Sequence, residues 1–473
     1  MQIPQVETTA PPLHPSDRPP VARSASATSY FETADGRSHA ATFFLVCSLF
    51  LLWGLCNGMI DVMDKHFQDK LHLTKAQSAW VQTAHYLGYA FMALPAGLLA
   101  RVIGYKGGII AGLLVASAGA FWFLAATHIV SLWAFLLGVC VIAMGLTMLE
   151  TVANPYTTAL GPKEHSAFRI NLAQTFNGIG WMLGPVIGGA FFYSARGAEV
   201  AHEQLYIPYT AVAVVMLFMA VVFYIAHVPD LDISDEYRLN EVTATDVRRS
   251  IWAHPHFVGG VLAQFLYVAA QAGIFSFFIN YMISEVPALP QSLAASSLLK
   301  NSVAMRDGMG FINEQGAARL QGLVAFGLFF LGRLTGSALL RDVAAQRMLG
   351  TYSLINVVLC VLVMMKLGWI SVAAVFLSFF FMSISFPTIF ALGIYGLGRQ
   401  AKKASAFIVM AILGGAIMPK LMGHIGDLYD MSIAFAVPLG CFALIALYGY
   451  AWPALSASNV KGAEAENLPK PFN

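Results

Sequence analysis

Twelve separate stretches of this chain stay apolar for long enough to cross a bilayer, and that limits the fold to a bundle of membrane-spanning helices. A helix needs roughly 20 mostly apolar residues to traverse the hydrocarbon layer, where every backbone group must find its hydrogen bond inside protein. The stretches lie near 41–63, 77–100, 107–127, 131–160, 167–194, 208–228, 257–284, 320–340, 348–366, 370–397, 404–423 and 432–452. Composition agrees: 58% of the 473 residues are hydrophobic and 11% charged, whereas soluble domains carry about a quarter charged residues. A net charge of +2, dispersed along the chain, offers nucleic acid no basic surface. The cysteines Cys47, Cys56, Cys140, Cys360 and Cys441 all sit in apolar segments without metal-ligand spacing, so neither a metal nor another cofactor is implied.

Twelve spans place both termini on one side. With that side cytoplasmic, the inner segments hold 17 lysines and arginines and the outer loops 8, the bias that orients membrane proteins. Residues 1–40, rich in Pro, Ser, Thr and Ala and lacking a signal-peptide core, read as a disordered cytoplasmic tail, and 454–473 as a second tail. The charged connection 229–255 divides the chain into a six-helix half at 41–228 and another at 256–453. A weak internal echo supports the division: GLLARVIGYKGG after the second span is answered by GSALLRDVAAQR after the eighth. An all-α membrane protein with twelve helices in two related halves is the architecture of major facilitator transporters.

Against this background some polar residues stand out. Glu150 follows nineteen uncharged residues, Ser131 to Leu149, and Asp61 falls near the outer end of the first span. By helical rise Asp61 lies about 30 Å along a span running outward, and Glu150 about 28 Å along one running inward. A charged carboxylate near the bilayer centre costs about 2.5–3.5 kcal/mol. It therefore faces a cavity or a partner, and low-dielectric surroundings let it load and release a proton. Two readings of Glu150 stand: a proton site with Asp61 as second acid of the relay, or a fixed pair with Arg333 that locks helices. Arg333 is accordingly a counter-ion or a side chain snorkelling to the inner surface, and snorkelling is the default for Lys420.

Amides gather in the same spans: Asn57, Gln82, Asn154, Asn171, Gln174, Asn177, Gln264, Gln271 and Asn280. They supply paired donors and acceptors without charge, as a neutral polyhydroxylated ligand requires, or else they bond helix to helix. Tyr86, Tyr267 and Tyr281 offer flat faces to a sugar ring, or simple packing. His85 either titrates or bonds between helices. Asn154-Pro155, Pro185 with Gly188-Gly189, Pro387, and Gly414-Gly415 with Pro419 are expected to interrupt their helices.

The ordered set NGMID, VQTAHYLGYAFMALPAGLL, LETVANPYTTALGP, FRINLAQTFNGIG, AQFLYVAAQ, FFLGRLTG, FMSISFPTIFALGI and SAFIVMAILGG resembles the L-fucose permease group of the fucose/glucose/galactose proton symporters, over roughly Ala41 to Trp452. The resemblance implies a monomeric twelve-helix protein of the bacterial inner membrane that carries a monosaccharide together with a proton. The family's first-span aspartate and fourth-span glutamate, which serve proton coupling and sugar recognition, correspond to Asp61 and Glu150. Asn57, Gln82, Asn154, Gln174, Asn177, Gln264 and Gln271 fall within matched segments. This sequence departs from the family at Gly58 and Ile60, where amides are usual, at Lys420, and in a longer outer loop 285–319 placed to cover the entrance. Glucose, galactose or N-acetylglucosamine as substrate, and sodium as coupling ion, remain alternatives. Proton-exchanging drug export and sugar sensing without transport are further ones. An enzyme is disfavoured, because no nucleophile triad, phosphate loop or metal cluster is present in the sequence.

Overall fold

The computed structural model describes residues 30–32, 38–129, 131–162, 166–193, 206–226, 228–229, 250–294, 296, 299, 301–340, 342–397 and 400–465. Among them, ten helices are long and apolar enough to cross a membrane: Ala40–Leu71, Val102–Ile129, Leu132–Thr157, Tyr206–Ile225, Pro255–Ser276, Glu314–Leu339, Ala345–Met364, Trp369–Ile394, Ala404–Leu428 and Met431–Ala457. The remaining two stretches read from the sequence are helical too. Trp80–Ile129 is two helices in succession, broken at Gly104 (φ 73°, ψ 178°), and the fifth stretch forms Ser166–Phe192. The surface inverts the rule for soluble proteins: Val102 is 83% exposed, Ile225 76% and Phe218 64%. So much outward apolar area is the mark of a lipid-facing bundle.

The helices pack as two groups, one before and one after the connection whose residues 230–249 lie outside those described. Within the first group, Ala40–Leu71 crosses Ser166–Phe192 on small residues. Gly54 and Gly58 face Gly180 and Gly184, so near that a Cβ added at Gly184 would lie 2.7 Å from the Gly58 Cα. Lipid gives helices no hydrophobic reason to associate, so close backbone approach through small residues supplies the attraction instead. This crossing fixes the rotation of the first helix, and with it where Asp61 points.

Several boundaries differ from the sequence reading. The first helix continues past residue 63 to Leu71 and stops at His72, whose left-handed backbone (φ 50°) returns its N–H to the Gln68 carbonyl. Pro155 and Pro185 do not interrupt their helices, whereas the tenth span breaks before Pro387 and the eleventh changes winding at Ala411–Leu413. The last helix runs on to Ala465, into the stretch read as a tail. At the other end, residues 1–29 and 33–37 lie outside those described, but Tyr30, Phe31 and Glu32 are placed. Glu32 bridges to Ser38, and Phe31 packs on Phe43.

Arg169, in the first turn of Ser166–Phe192, is fully buried. Its guanidinium donates to the carbonyls of Thr157 (3.0 Å), Gly161 (3.1 Å) and Tyr30 (2.9 Å), closing the end of the fourth helix. Loop 285–319 contains a hairpin, Val303–Arg306 with Met309–Ile312, turned by Asp307 and Gly308, both at positive φ. Asn313 then caps a helix from Glu314, so Arg319 belongs to a helix and not to a loop.

Replacing Gly184 with Val is expected to force the first and fifth helices apart, at about 1–3 kcal/mol for overpacking. A lower melting temperature of the detergent-solubilised protein reads this. Gly440→Ala, where nothing lies within 4 Å, should melt as the wild type does. Equal tolerance at the two positions would contradict the packing described.

Candidate functional site

The first helix carries Asn57, Asp61, Asp64 and Gln68 at spacings that place them on one face. All four are buried, at 6%, 4%, 0% and 8% exposure. Gln82, on the following helix, donates through Nε2 to Asp61 Oδ1 at 3.1 Å and to Asp64 Oδ2 at 3.4 Å. Asp61 Oδ2, Asp64 Oδ1 and Asn57 Oδ1 have no hydrogen-bond partner. The Gln82 helix also presents Tyr86 and Tyr89 at the next turns of the same face. Tyr86 lies on Gly415 of the second group, where any side chain would collide with its ring, and it is within electrostatic range of Asp61 and Tyr267. His85 packs edge-on against Tyr86, 5.2 Å between centroids, with Nδ1 unpartnered.

Glu150 sits half-buried on Leu132–Ala159, with Asn154 one turn further along. Asn154 Oδ1 accepts from Gln174 Nε2 at 3.1 Å, joining two of the expected amides. Glu150 itself makes no hydrogen bond or ion pair among the described residues. It lies within electrostatic range of Tyr89, whose hydroxyl accepts from Trp53 Nε1 at 2.6 Å. Asp61 and Glu150 therefore belong to adjoining polar clusters rather than to one contact. Along Pro255–Ser276, Gln264, Tyr267 and Gln271 share a face. Gln264 and Tyr267 are fully buried, with the Gln264 amide and the Tyr267 hydroxyl unpartnered, and Gln271 is half-buried.

Some sequence assignments take a different form. Arg333 does not pair with Glu150 in this conformation. Its guanidinium lies 5.1 Å from the Phe329 ring centre and donates through Nε to the Ser383 carbonyl at 3.4 Å, because the eighth helix turns it toward the tenth. Asn177 is engaged in helix packing, donating to the Phe50 carbonyl at 3.2 Å. Lys420 holds its ammonium 3.2 Å above the Trp80 ring, a cation–π contact between the two groups of helices. Sequence reasoning passed over Asp64 and Tyr89. Asp64 lay one residue beyond the assumed end of the first span, and its spacing of three from Asp61 was the available signal.

The hydrogen bonds between the two groups, among the described residues, all lie along one edge. Asn280 Nδ2 donates to Gln68 Oε1 at 2.6 Å, and Thr83 Oγ1 to the Ala416 carbonyl at 2.6 Å. Asp427 accepts from the backbone N–H groups of Lys75 and Ala76, each at 2.9 Å, and so neutralises the first turn of the helix that Thr74 caps. Lys75 Nζ donates to the Gly426 carbonyl at 2.9 Å. A Cβ at Gly423 would come within 2.8 Å of the Lys75 carbonyl, so the bare glycine backbone permits this approach. No group of His, Cys, Asp and Glu among the described residues is arranged to hold a metal ion.

Residues 42–419 match the Major Facilitator Superfamily. The chain is 33% identical over 436 residues to the L-fucose-proton symporter of Escherichia coli (strain K12), covering 88% of this chain and 94% of that one. It is 30% identical over 422 residues to a glucose/galactose transporter of Brucella abortus biovar 1 (strain 9-941), covering 88% and 95%. The crystal structure of the transporter FucP in the outward conformation superimposes with a TM-score of 0.59 at 32% identity, covering 88% of this chain and 99% of that one. With its helical membrane fold and ordered motifs, this multi-pass chain belongs to the major facilitator superfamily, in the group of the fucose and glucose/galactose transporters.

Proposed function

We propose that this protein is a monomeric twelve-helix importer of the bacterial inner membrane, with both termini cytoplasmic, that moves a monosaccharide together with a proton by alternating access. The observation that carries the reading is a set of buried carboxylates without a cation, set among amides and tyrosines between two groups of helices. Amides and hydroxyls match the donors and acceptors of a sugar. Uncompensated carboxylates in such a place suit an exchangeable proton, since an ionised acid there is costly and a neutral one is not. The similarity to an L-fucose-proton symporter and a glucose/galactose transporter supports the same assignment and ranks L-fucose or a related sugar first. Drug export fits less well, because it has no use for so many amides. The role is transport rather than catalysis.

With the termini inside, the edge held by Gln68, Lys75, Thr83, Asp427 and Asn280 is the outer one, and the conformation is closed outward. Glu150, beyond that edge and free of partners, is then the acid placed to discharge inward, while Asp61 stands behind the outer seal. In the cycle, an outward-open state takes up proton and sugar, the acids become neutral, and the halves rock together because neutral groups carry no penalty in a dry interface. Asn57, Gln82, Tyr86, Asn154, Gln174, Gln264, Tyr267 and Gln271 surround the path and hold the sugar, and Arg333 remains available as a counter-ion in other states of the cycle.

A one-unit pH gradient is worth about 1.4 kcal/mol per proton, about tenfold sugar accumulation at one proton per sugar. In proteoliposomes Glu150→Gln is expected to bring that ratio down to about one while sugar exchange continues. Uphill uptake retained in the variant contradicts the coupling role. Offered L-fucose, D-arabinose, galactose, glucose and N-acetylglucosamine under an acid-outside gradient, the wild type should accumulate at least one, with L-fucose the first choice. Uptake of none would overturn the sugar assignment.

The outer seal makes a separate prediction. Asp427→Ala removes the acceptor of two charge-assisted hydrogen bonds, each worth about 1.5–3 kcal/mol, and should shift the population outward by tenfold or more. In a cysteine-free background carrying Ala416→Cys, a membrane-impermeant maleimide added outside should then label faster. An unchanged labelling rate would show that the carboxylate does not hold the edge shut.

A further inference from the structure

Among the described residues Asp64 is the most deeply buried acid, and nothing in the proposed cycle above uses it. It lies three residues after Asp61 on the same face, and the two carboxylates are joined through a single nitrogen: Gln82 Nε2 donates one hydrogen to Asp61 Oδ1 and the other to Asp64 Oδ2. Their oxygens are thus within two hydrogen-bond lengths of each other. The far oxygen of each acid has no partner.

The neighbours supply no positive charge. On the same helix, Lys65 is paired with Asp69, and His66 stacks on Phe192 with ring centres 4.9 Å apart. Tyr86 faces Asp61, and Tyr193 and Tyr209 lie within electrostatic range of Asp64. From Pro255–Ser276, the fully buried Ser276 brings its hydroxyl beside Asp64. No lysine, arginine or histidine among the described residues pairs with either acid. Two adjacent carboxylates in low dielectric, bridged by a neutral amide, cannot both stay ionised, and sharing a proton resolves the conflict.

One turn further along the same stripe is Gln68, which exchanges hydrogen bonds with Asn280 across the outer edge and donates to Ser78 Oγ at 2.8 Å. The acid pair sits directly behind this contact. We propose that Asp61 and Asp64 act as one proton-holding dyad, oriented by Gln82 and sealed from the outside by Gln68 and Asn280. The proton arrives from external water as an O–H on either carboxylate and leaves inward as the same proton. Asp64 is thereby a proton-coupling residue in its own right. This rests on the reading that Asp61 and Glu150 couple proton to sugar.

The test compares Asp64→Asn, Asp61→Asn, the double variant and Glu150→Gln in proteoliposomes. The probe is whichever sugar the wild type accumulates, under a one-unit pH gradient. A dyad predicts that Asp64→Asn loses proton-driven accumulation, from about tenfold to about one, yet keeps sugar exchange, and that the double variant is no worse than either single one, as groups acting as a unit require. Asp64→Ser offers a second neutral replacement should the amide not be tolerated, and Asp64→Glu should restore accumulation, which a merely structural role would not predict. Wild-type accumulation in Asp64→Asn or Asp64→Ser, with Glu150→Gln still uncoupled, overturns the dyad and leaves the wider reading standing. Wild-type accumulation in Asp61→Asn and Glu150→Gln together removes the wider reading and the dyad with it. Accumulation driven by a sodium gradient at equal pH would also overturn the proton assignment.

Discussion

A carboxylate held away from water without a cation is under a constraint that few other groups share: it must find a positive partner or become neutral. In this protein the ion pairs among the described residues are Lys65–Asp69, Lys75–Asp427 and Lys366–Asp430, all with at least one partner partly exposed and none involving Asp61, Asp64 or Glu150. For the two buried aspartates the route we propose is a proton. Much of the surrounding structure serves to place these acids: the glycine crossing of the first and fifth helices sets the rotation of Asp61, Gln82 bridges it to Asp64, and the Trp53–Tyr89 hydrogen bond borders Glu150.

The edge that joins the two groups of helices uses a different economy of forces. Asp427 meets backbone N–H groups at a helix start, and Asn280 meets Gln68 through neutral amides. Neither arrangement needs a fully desolvated ion pair, which is slow and costly to separate. A contact surface built from caps and amides can open and reform, because water takes over the freed donors and acceptors as the edge parts. In the proposed cycle the acid pair behind the seal is exposed or enclosed according to a contact one helical turn away.

How much of this the sequence disclosed depends on the range of the interaction. Spans, their approximate limits and the placing of Asp61 and Glu150 inside them were legible, because hydropathy and a misplaced charge are local signals. The reach of the first helix was not. KHFQDK reads as a loop by composition, yet it stays helical to Leu71 because Phe67 and Gln68 are buried against neighbouring helices. That error hid Asp64. The burial of Arg169 left no signal either: a cation near a turn is usually solvated, and only the folded chain brings three carbonyls around it. Arg333 and Glu150 are not paired in this conformation, and rotation about a helix axis, which decides such a partner, leaves no trace in spacing alone.

The account stands or falls on whether sugar movement carries protons. The direct measurement is the external pH of a lightly buffered suspension of sealed, de-energised proteoliposomes when sugar is added outside. The account predicts that the medium turns alkaline as sugar enters, with the proton flux abolished in Glu150→Gln. Sugar entry with no change in external pH, or with one equal in the variant, would contradict it.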